Sequence, residues 1–305
     1  MARLLMSTLV MMPPQSILAA VDFSEPSRAA LNFALRLARQ CGAALHVLHA
    51  EDPLLAAAAT TSGVDLSRET REELTRFVES VARPGGSAVQ YHVVIGAGAA
   101  TICNVAHREQ MDVIVMGMHG MSGPARAMFC STTEGVLRQA NGSVLVVPDT
   151  WEPPRGDAAD LSGTGPVVAA IESTEPAIAS ASAACRLATL LGTSVELIHI
   201  VPELPVIDRW RGHAEAAVVQ RIEEARRELG ALLPVLGATV PVSLQIESGA
   251  VPQGIANAVA PTPERNPLLV LGRRNRASRL GAPGATAYRV LTLTRVPVLV
   301  YLPER

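Results

Sequence analysis

Aromatic residues are scarce in this sequence. They make up only 3% of its 305 residues, although hydrophobic residues as a whole reach 49%. The core must therefore be built from Ala, Val, Leu and Ile, a composition that suits strands covered by helices better than an aromatic-rich β-sandwich. At this length the chain can form two domains, each with its own core.

The sequence also lacks a strong charge of one sign, a long hydrophobic run and a recognisable cysteine pattern. The formal net charge of −2 gives no electrostatic reason to expect binding to nucleic acid or to an anionic membrane. No apolar run approaches the roughly 18 residues that a membrane span needs. The four cysteines have neither paired nor metal-site spacing, which predicts reduced thiols and a cytoplasmic location; they are Cys41, Cys103, Cys130 and Cys185.

The N-terminal segment Met1–Pro14 carries a short apolar stretch after Arg3 and faintly resembles a signal peptide. It has a single positive charge and no cleavage site of the small-x-small type. We therefore interpret it as a disordered extension, with Met11 or Met12 as an alternative start residue.

Apolar runs of strand length alternate with segments of helical spacing along the first half. The pattern predicts five strands, four helices and a loop at Glu51–Val64. The strands are Ile17–Val21, Leu45–Ala50, Val89–Ile95, Val113–Met116 and Val144–Val147. The helices are Ser27–Gln40, Leu66–Val81, Ala99–Glu109 and one that starts at Ser131 and stops before Asn141.

The first half is repeated about 150 residues further on. Val21–Pro26 aligns with Ile171–Pro176, and Leu45–His49 aligns with Val195–His199. A repeat of this length is a duplicated domain. We expect an N-terminal extension at 1–14, a first domain at 15–149, a Pro- and Gly-rich linker at 150–166 and a second domain at 167–305. Strands that alternate with helices imply an α/β fold, with a five-stranded parallel sheet in each half and helices on both faces.

The stretch that follows the fourth strand has the pattern of an anion-binding loop. Gly117 and Gly120 precede Ser131-Thr132-Thr133-Glu134, a helix start in which Ser131 and Glu134 form a capping-box pattern. Strand, glycine loop and helix start together place free backbone N–H groups where an anion can bind. It is not a Walker loop, because no Lys-Ser/Thr pair follows the glycines.

These residues resemble the ATP-binding branch of the universal stress protein family, which carries G-x2-G-x9-G-[ST] after its fourth strand. Here the pattern reads Gly117-x2-Gly120-x9-Cys130-Ser131, and Asp22-Phe23-Ser24 resembles the Asp-x-Ser start of the family. The resemblance covers both halves and implies two tandem Rossmann-like domains of the adenine nucleotide alpha hydrolase type.

The resemblance further implies a stress-response protein that binds ATP or a related adenine nucleotide, with Asp22 and Ala50 beside the base and ribose. Independently of the resemblance, the Asp22 carboxylate could hold Mg²⁺ through a phosphate-bound ion. The resemblance also implies pairing through the last strands, Val144–Val147 and Val298–Tyr301, either between the two halves or in a homodimer. The nucleotide contacts implied by matching position are Ala20, Val21, Asp22, Ala50, Met116, Gly117, Gly120, Cys130, Ser131, Thr132 and Thr133.

The sequence departs from the family pattern at Cys130, where a Cβ atom either crowds the phosphates or forces a different backbone angle. The second half departs further, because Asn275 and Ala285 replace two motif glycines and Glu172 replaces Asp22. We expect one nucleotide site at most. Four arginines in the second loop could clamp an anion or form a solvated surface; they are Arg273, Arg274, Arg276 and Arg279.

An alternative function follows from the same departures, namely an interaction module that binds no nucleotide, with Trp210 as one candidate contact. No His/Cys/Asp/Glu set has metal-site spacing. The sequence contains no recognisable nucleophile–base pair, so it predicts no catalytic residues, and slow ATP hydrolysis is left open.

Overall fold

A computed structural model describes residues 13–82, 88–118, 131–153, 160–172, 175–203, 211–262, 265–272 and 285–302. In these ranges the chain alternates parallel strands with helices, and the α/β fold predicted from the sequence is confirmed. No helix in the described ranges is both long and apolar enough to cross a membrane.

The first half contains five strands and five helices. They are β1 (Ser16–Ala20), α1 (Glu25–Cys41), β2 (Ala44–Glu51), α2 (Pro53–Thr61), α3 (Leu66–Val81), β3 (Val89–Ile95), α4 (Gly98–Arg108), β4 (Val113–Gly117), α5 (Ser131–Gln139) and β5 (Ser143–Val147).

The second half repeats this order. It contains β6 (Val167–Ala170), α6 (Glu175–Leu191), β7 (Val195–Pro202), α7 (Arg211–Gly230), a 3₁₀ helix at Leu233–Leu236, β8 (Val242–Gly249), α8 (Val251–Ala258), β9 (Leu268–Gly272), α9 (Ala285–Leu293) and β10 (Val298–Tyr301). Helix α6 starts and ends 150 residues after α1, at the offset of the sequence repeat.

The ten strands form one sheet in the order β3-β2-β1-β4-β5-β10-β9-β6-β7-β8. Strands within each half are parallel, and the two halves meet where β5 pairs with β10 in antiparallel fashion. In that pair Val146 lies opposite Val298 and Val144 lies opposite Val300. The sheet edges are therefore β3 and β8.

Local signals explain where helix α1 begins and ends. The side chain of Ser24 accepts a hydrogen bond from the backbone N–H of Ser27, and Pro26 occupies the first turn, where its missing N–H costs nothing. Gly42 ends the helix with a φ of 68°, a left-handed conformation that glycine adopts without a steric penalty.

One predicted element is wrong. The segment Glu51–Val64 was expected to be a loop, but it contains the helix α2. Asp52 caps this helix, because its side chain accepts hydrogen bonds from the N–H groups of Leu54 at 2.7 Å and Leu55 at 3.4 Å. An Asp cap followed by Pro in the first turn starts a helix, and the alanines after it are good helix formers.

Two hydrophobic cores cover the two faces of the sheet, and each runs through both halves. The core on one face includes Phe33 of α1, Phe77 of α3 and Ala184 of α6. The core on the other face includes Ile102 of α4 and Val290 of α9. The inward side chains are mostly aliphatic, as the low aromatic content requires.

Candidate functional site

The residues implied by the family resemblance meet at the carboxyl edge of the first half of the sheet. Ala20 at the end of β1 lies in register with Met116 of β4 and with Leu48 of β2, and the N–H of Val21 donates to the carbonyl of Leu48 at 2.9 Å. Because the strands are parallel, their carboxyl ends share this edge with the starts of α1, α4 and α5. Ligands on sheets of this type bind at such an edge.

Asp22 lies half-buried in the turn between β1 and α1. Its Oδ1 accepts hydrogen bonds from the backbone N–H of Ser24 at 3.2 Å and from the Ser24 hydroxyl. Ser24 is also the N-cap of α1, so the carboxylate is held by the same residue that starts the helix. Asp22 is therefore positioned by local backbone geometry.

Two side chains that the sequence analysis did not assign to the site hold this turn in place. Phe23 has a φ of 64°, uncommon for a residue with a side chain, and its ring lies 4.6 Å from the His49 ring and 5.5 Å from the Phe77 ring. His49 Nδ1 donates to the carbonyl of Val21 at 2.9 Å.

The same histidine contact occurs in the second half. His199 Nδ1 lies 2.8 Å from the carbonyl of Ile171, at the same sequence separation as His49 from Val21. The sequence signal for this positioning role is the recurrence of a histidine at the same place in the second strand of each half. The contact fixes which imidazole nitrogen carries hydrogen and ties the second strand to the turn after the first.

Gly117 at the end of β4 packs against the first turn of α1. A Cβ atom on Gly117 would lie 2.9 Å from the carbonyl carbon and oxygen of Pro26. The carbonyl of Gly117 accepts a hydrogen bond from the Thr133 hydroxyl at 3.0 Å, and Thr133 is only 1% exposed. Gly117 and Thr133 thus join β4, α1 and α5 at the edge of the sheet.

Helix α5 begins at Ser131, which is exposed to solvent at this edge. Thr132 packs against Gly98, the first residue of α4, where an added Cβ would lie 3.2 Å from the Thr132 methyl group. Glu134 lies 3.8 Å from Arg138 one turn along the helix. The first-turn N–H groups of α5 point out of the helix toward this edge.

Two of the implied contacts, Gly120 and Cys130, lie outside the described residues. The structure therefore brings together Ala20, Val21, Asp22, Ala50, Met116, Gly117, Ser131, Thr132 and Thr133. Six of these nine residues precede residues 119–130 in the chain, and the other three open helix α5, which follows.

A buried carboxyl group lies next to Ala50. Glu51, the last residue of β2, is 2% exposed, and its Oε2 accepts a hydrogen bond from the Ser67 hydroxyl of α3 at 3.0 Å. Its Oε1 is buried without a hydrogen-bond partner among the described residues. The sequence analysis placed Glu51 in a loop and did not assign it a role.

The matching edge of the second half is built differently. A Cβ atom on Gly272 would collide with the Ser180 hydroxyl of α6, so this glycine also packs against a helix. Glu172 and Ala285 are exposed. The four loop arginines Arg273, Arg274, Arg276 and Arg279 lie outside the described residues, as do Asn275 and Trp210.

Thiol and metal chemistry receive no support from the described residues. Burial raises the pKa of the Cys41 thiol to about 12 and also raises the pKa of Cys185, so both thiols are protonated at neutral pH and are poor nucleophiles. No group of three or more His, Cys, Asp or Glu side chains in the described ranges could hold a metal ion.

Comparison with known proteins connects this fold to a family. The model of the Universal stress protein family matches residues 14–148. Universal stress protein MJ0531 of Methanocaldococcus jannaschii is 28% identical over 138 residues, covering 44% of this chain and 81% of that protein. Universal stress protein YxiE of Bacillus subtilis is 26% identical over 143 residues, covering 43% of this chain and 97% of that protein.

A solved structure resembles both halves together. A universal stress protein from Archaeoglobus fulgidus matches 95% of this chain and 99% of its own, with a TM-score of 0.62 and 18% sequence identity. At 18% identity, this similarity concerns the fold alone. The fold of the chain is therefore that of two universal-stress-type halves in tandem.

Proposed function

We propose that this chain is a stress-response protein whose first half binds ATP or a related adenine nucleotide, because residues 14–148 match the model of the Universal stress protein family. Its role would be regulatory or protective, with the protein acting from the cytoplasm. The observation that carries the proposal is the convergence, at one edge of the sheet, of the half-buried Asp22 with the first turn of α5.

The chemistry of these groups fits a nucleotide. The N–H groups of Ser131, Thr132 and Thr133 in the first turn of α5 favour phosphate oxygens, and the exposed Ser131 hydroxyl adds a donor. Asp22 and Ala50 would flank the ribose and the base, as the family resemblance implies. Gly120 and Cys130 would complete the phosphate loop, and Ala20, Val21, Met116 and Gly117 would form the floor of the site.

Mg²⁺ would enter this site with the phosphates. Asp22, at the sheet edge where α5 begins, is the carboxylate that would hold the ion through the phosphates, since Mg²⁺ is commonly held by one or two carboxylates together with substrate phosphates. Phe23 and His49 have a positioning role in this proposal, because they hold the turn that carries Asp22.

Calorimetric titration of the full chain with ATP and Mg²⁺, together with mass spectrometry of small molecules released from freshly purified protein, tests the proposal. We expect measurable binding that Gly120→Asp abolishes, because a carboxylate beside the phosphates repels them. Gly230→Asp is the matched control. It introduces the same charge at the end of α7, where an added Cβ meets no atom within 4 Å, and should leave binding unchanged.

An absence of heat, together with protein that carries no nucleotide after purification, would contradict nucleotide binding. An unchanged ATP pool after long incubation with the pure protein would rule out slow hydrolysis.

An exposed apolar helix favours the second candidate function, an interaction module. Helix α2 buries none of its residues, and Leu54 is 82% and Leu55 57% exposed. Exposed apolar side chains that lie together mark contact surfaces. ATP that copurifies tightly with the protein would count against this candidate as the main function.

We also propose that the two halves pair with each other in solution through β5 and β10. This contact uses the last strands through which the family resemblance implies dimerisation. A homodimer would then have to form elsewhere, for instance along the sheet edges β3 and β8.

A further inference from the structure

A cavity of approximately 890 Å³ lies on one face of the sheet where the two halves meet. Helices α1 and α6 flank it, and β5 and β10 contribute to its floor. Most of its wall is apolar and includes Phe33, Leu145, Leu187, Leu268 and Leu299. This volume falls within the range of about 300–1,000 Å³ that is typical of small-molecule sites.

Two charged side chains line this cavity among the described residues, the cation Arg186 and the carboxylate Asp112, whose Oδ2 accepts hydrogen bonds from the backbone N–H groups of Gln15 and Ser16. Arg186 of α6 is half-buried, and its Nη2 lies 3.5 Å from the hydroxyl oxygen of Tyr301, the last residue of β10. No salt bridge joins Arg186 to a carboxylate among the described residues. A guanidinium group at an apolar wall is a strong site for an anion, because charge-assisted hydrogen bonds gain strength where water is excluded.

The repeat supplies a comparison for Arg186, because Arg36 occupies the same position in α1. Arg36 is 6% exposed, and its Nε donates to Asn32 Oδ1 at 3.0 Å. Its Nη1 donates to the backbone carbonyl of Asp160 in the linker, also at 3.0 Å. In the first half, therefore, the linker supplies one of the acceptors for this arginine.

The linker also supplies apolar groups beside α1. The Trp151 ring packs at 62° to the ring of Phe33, with 5.0 Å between centroids, and Trp151 is buried. Leu161, next to the carbonyl that Arg36 binds, is completely buried. The linker, with its apolar side chains and its acceptor oxygen, thus covers the surface of α1 around Arg36.

The side chain three residues before the arginine is smaller in the second half than in the first. Ala183 stands in α6 where Phe33 stands in α1, and Ala183 lines the cavity. Among the described residues the linker contacts Arg36, whereas Arg186 lines the cavity and has the Tyr301 hydroxyl as its hydrogen-bond partner.

From this asymmetry we propose that the cavity binds an amphipathic anion, specifically an aliphatic carboxylate. Its hydrocarbon chain packs against Leu145, Leu187 and Leu299, and its carboxylate accepts hydrogen bonds from the Arg186 guanidinium and the Tyr301 hydroxyl. This ligand would offer Arg186 what the linker offers Arg36, namely an apolar body and an oxygen atom that accepts a hydrogen bond from the guanidinium.

Titration of the full chain with dodecanoate, below its micelle concentration, tests this inference, with dodecanol as the uncharged analogue. We expect dodecanoate to bind more tightly than dodecanol. Arg186→Gln should weaken dodecanoate roughly tenfold or more, which corresponds to the loss of a hydrogen bond to a charged group, and should leave dodecanol unchanged. The matched control is Arg226→Gln, which removes an exposed cation on α7 paired with Glu223 and should change neither affinity.

A second variant tests the cavity itself. Ala183→Phe places in α6 the ring that α1 carries at Phe33 and should abolish binding of both compounds, while circular dichroism confirms that the variant is folded. Equal affinity for acid and alcohol, or an Arg186→Gln variant that binds dodecanoate as well as the parent, would overturn the proposal.

Pro13 and Pro14 line the cavity, so the preceding residues 1–12 can reach it. Twelve extended residues span up to about 40 Å. If a chain without residues 1–12 binds dodecanoate and the full chain does not, that segment occupies the cavity, and the proposed ligand is wrong for the full chain.

Discussion

Gly117 and Gly272 end strands β4 and β9, and each packs against the helix that follows the first strand of its own half. The neighbours of their missing Cβ atoms are Pro26 and Ser180. The second half keeps this glycine although it has lost the other two motif glycines. Helix packing therefore accounts for the first motif glycine without any ligand.

Gly117→Ala is expected to lower the free energy of unfolding by about 1–3 kcal/mol, because the new methyl group would overlap the backbone of Pro26. Chemical denaturation of the full chain measures the change. Gly230→Ala, where an added Cβ meets nothing within 4 Å, is the matched control and should unfold no more easily than the parent. If both variants have the same free energy of unfolding, helix α1 shifts to accommodate the new methyl group without a loss of stability.

A pair of histidines links the two outer strands of the first half. His46 Nδ1 of β2 lies 2.9 Å from His92 Nε2 of β3, and the rings are stacked at 11°. Burial lowers the pKa of both imidazoles, and for His92 the His46 ring and the cations Arg108 and Arg71 lower it further. Glu109 raises both pKa values but does not outweigh these effects. Because both pKa values are lowered, both rings are neutral at neutral pH, and one ring donates the hydrogen bond that the other accepts.

This pair predicts a loss of stability in mild acid. Because the folded pKa values lie below the ordinary value of 6.5, the unfolded chain takes up protons first as the pH falls below about 6.5. The free energy of unfolding should therefore decrease from pH 7.5 to pH 5.5. His92→Gln should reduce that dependence, whereas His107→Gln, on the exposed side of α4, should not. If the free energy of unfolding depends on pH as steeply in His92→Gln as in the parent, the prediction of a neutral histidine pair is wrong.

At the scale of elements, α2 is the helix with the weakest connection to the rest of the protein. It buries no residue, and its start depends on the Asp52 cap. Helix segments without buried contacts open at a lower free energy than the whole domain.

Asp52→Ala should remove about 1 kcal/mol of capping energy from α2 alone. Hydrogen exchange should then be faster for the backbone amides that follow Pro53 in α2, with exchange in α3 unchanged. Asp65→Ala is the comparison, because Asp65 caps α3, which buries Leu74, Phe77 and Val78. If Asp52→Ala lowers global stability as much as Asp65→Ala, α2 is packed more firmly than its exposure indicates.

The best-predicted elements include a helix whose buried residues Leu74, Phe77 and Val78 recur at helical spacing, and a strand rich in β-branched residues. Helix α3 and strand β3 have the predicted bounds, Leu66–Val81 and Val89–Ile95. Helix α2 gave no such pattern, because it has no buried face, and only the Asp52-Pro53 start signalled it.

The candidate site was predictable only in part. The strand ends and Asp22 follow from the repeat and the family motif. The contacts of Phe23 with His49, and of Glu51 with Ser67, join residues that are distant in sequence, and no local pattern encodes them. Thr133 is a predicted nucleotide contact, and the sequence did not predict that its hydroxyl donates to the carbonyl of Gly117 within the protein.

At the scale of the whole molecule, one antiparallel strand pair makes two parallel sheets continuous. Two hydrogen bonds support this junction. Gln40 Nε2 of α1 donates to the carbonyl of Leu190 in α6 at 2.8 Å, and Asn266 Nδ2 donates to the carbonyl of Glu152 in the linker at 3.1 Å. The two halves should therefore behave as one body.

Small-angle X-ray scattering of the full chain should give a radius of gyration near the roughly 19 Å expected for a compact chain of this length. A profile of two separated, freely jointed bodies would contradict the pairing of β5 with β10. Leu299→Asp, which puts a charge into that strand pair, should increase the radius of gyration, and Leu293→Asp, at an exposed position at the end of α9, should not.

The linker that covers Arg36 has a consequence for duplicated proteins in general. Two identical subunits that associate about a twofold axis have two equivalent grooves, and any substitution alters both at once. A covalent connection crosses the axis only once, so it must leave the grooves unlike each other from the moment of fusion. The peptide that joins the halves thereby breaks their symmetry, and each arginine of the pair becomes free to diverge on its own.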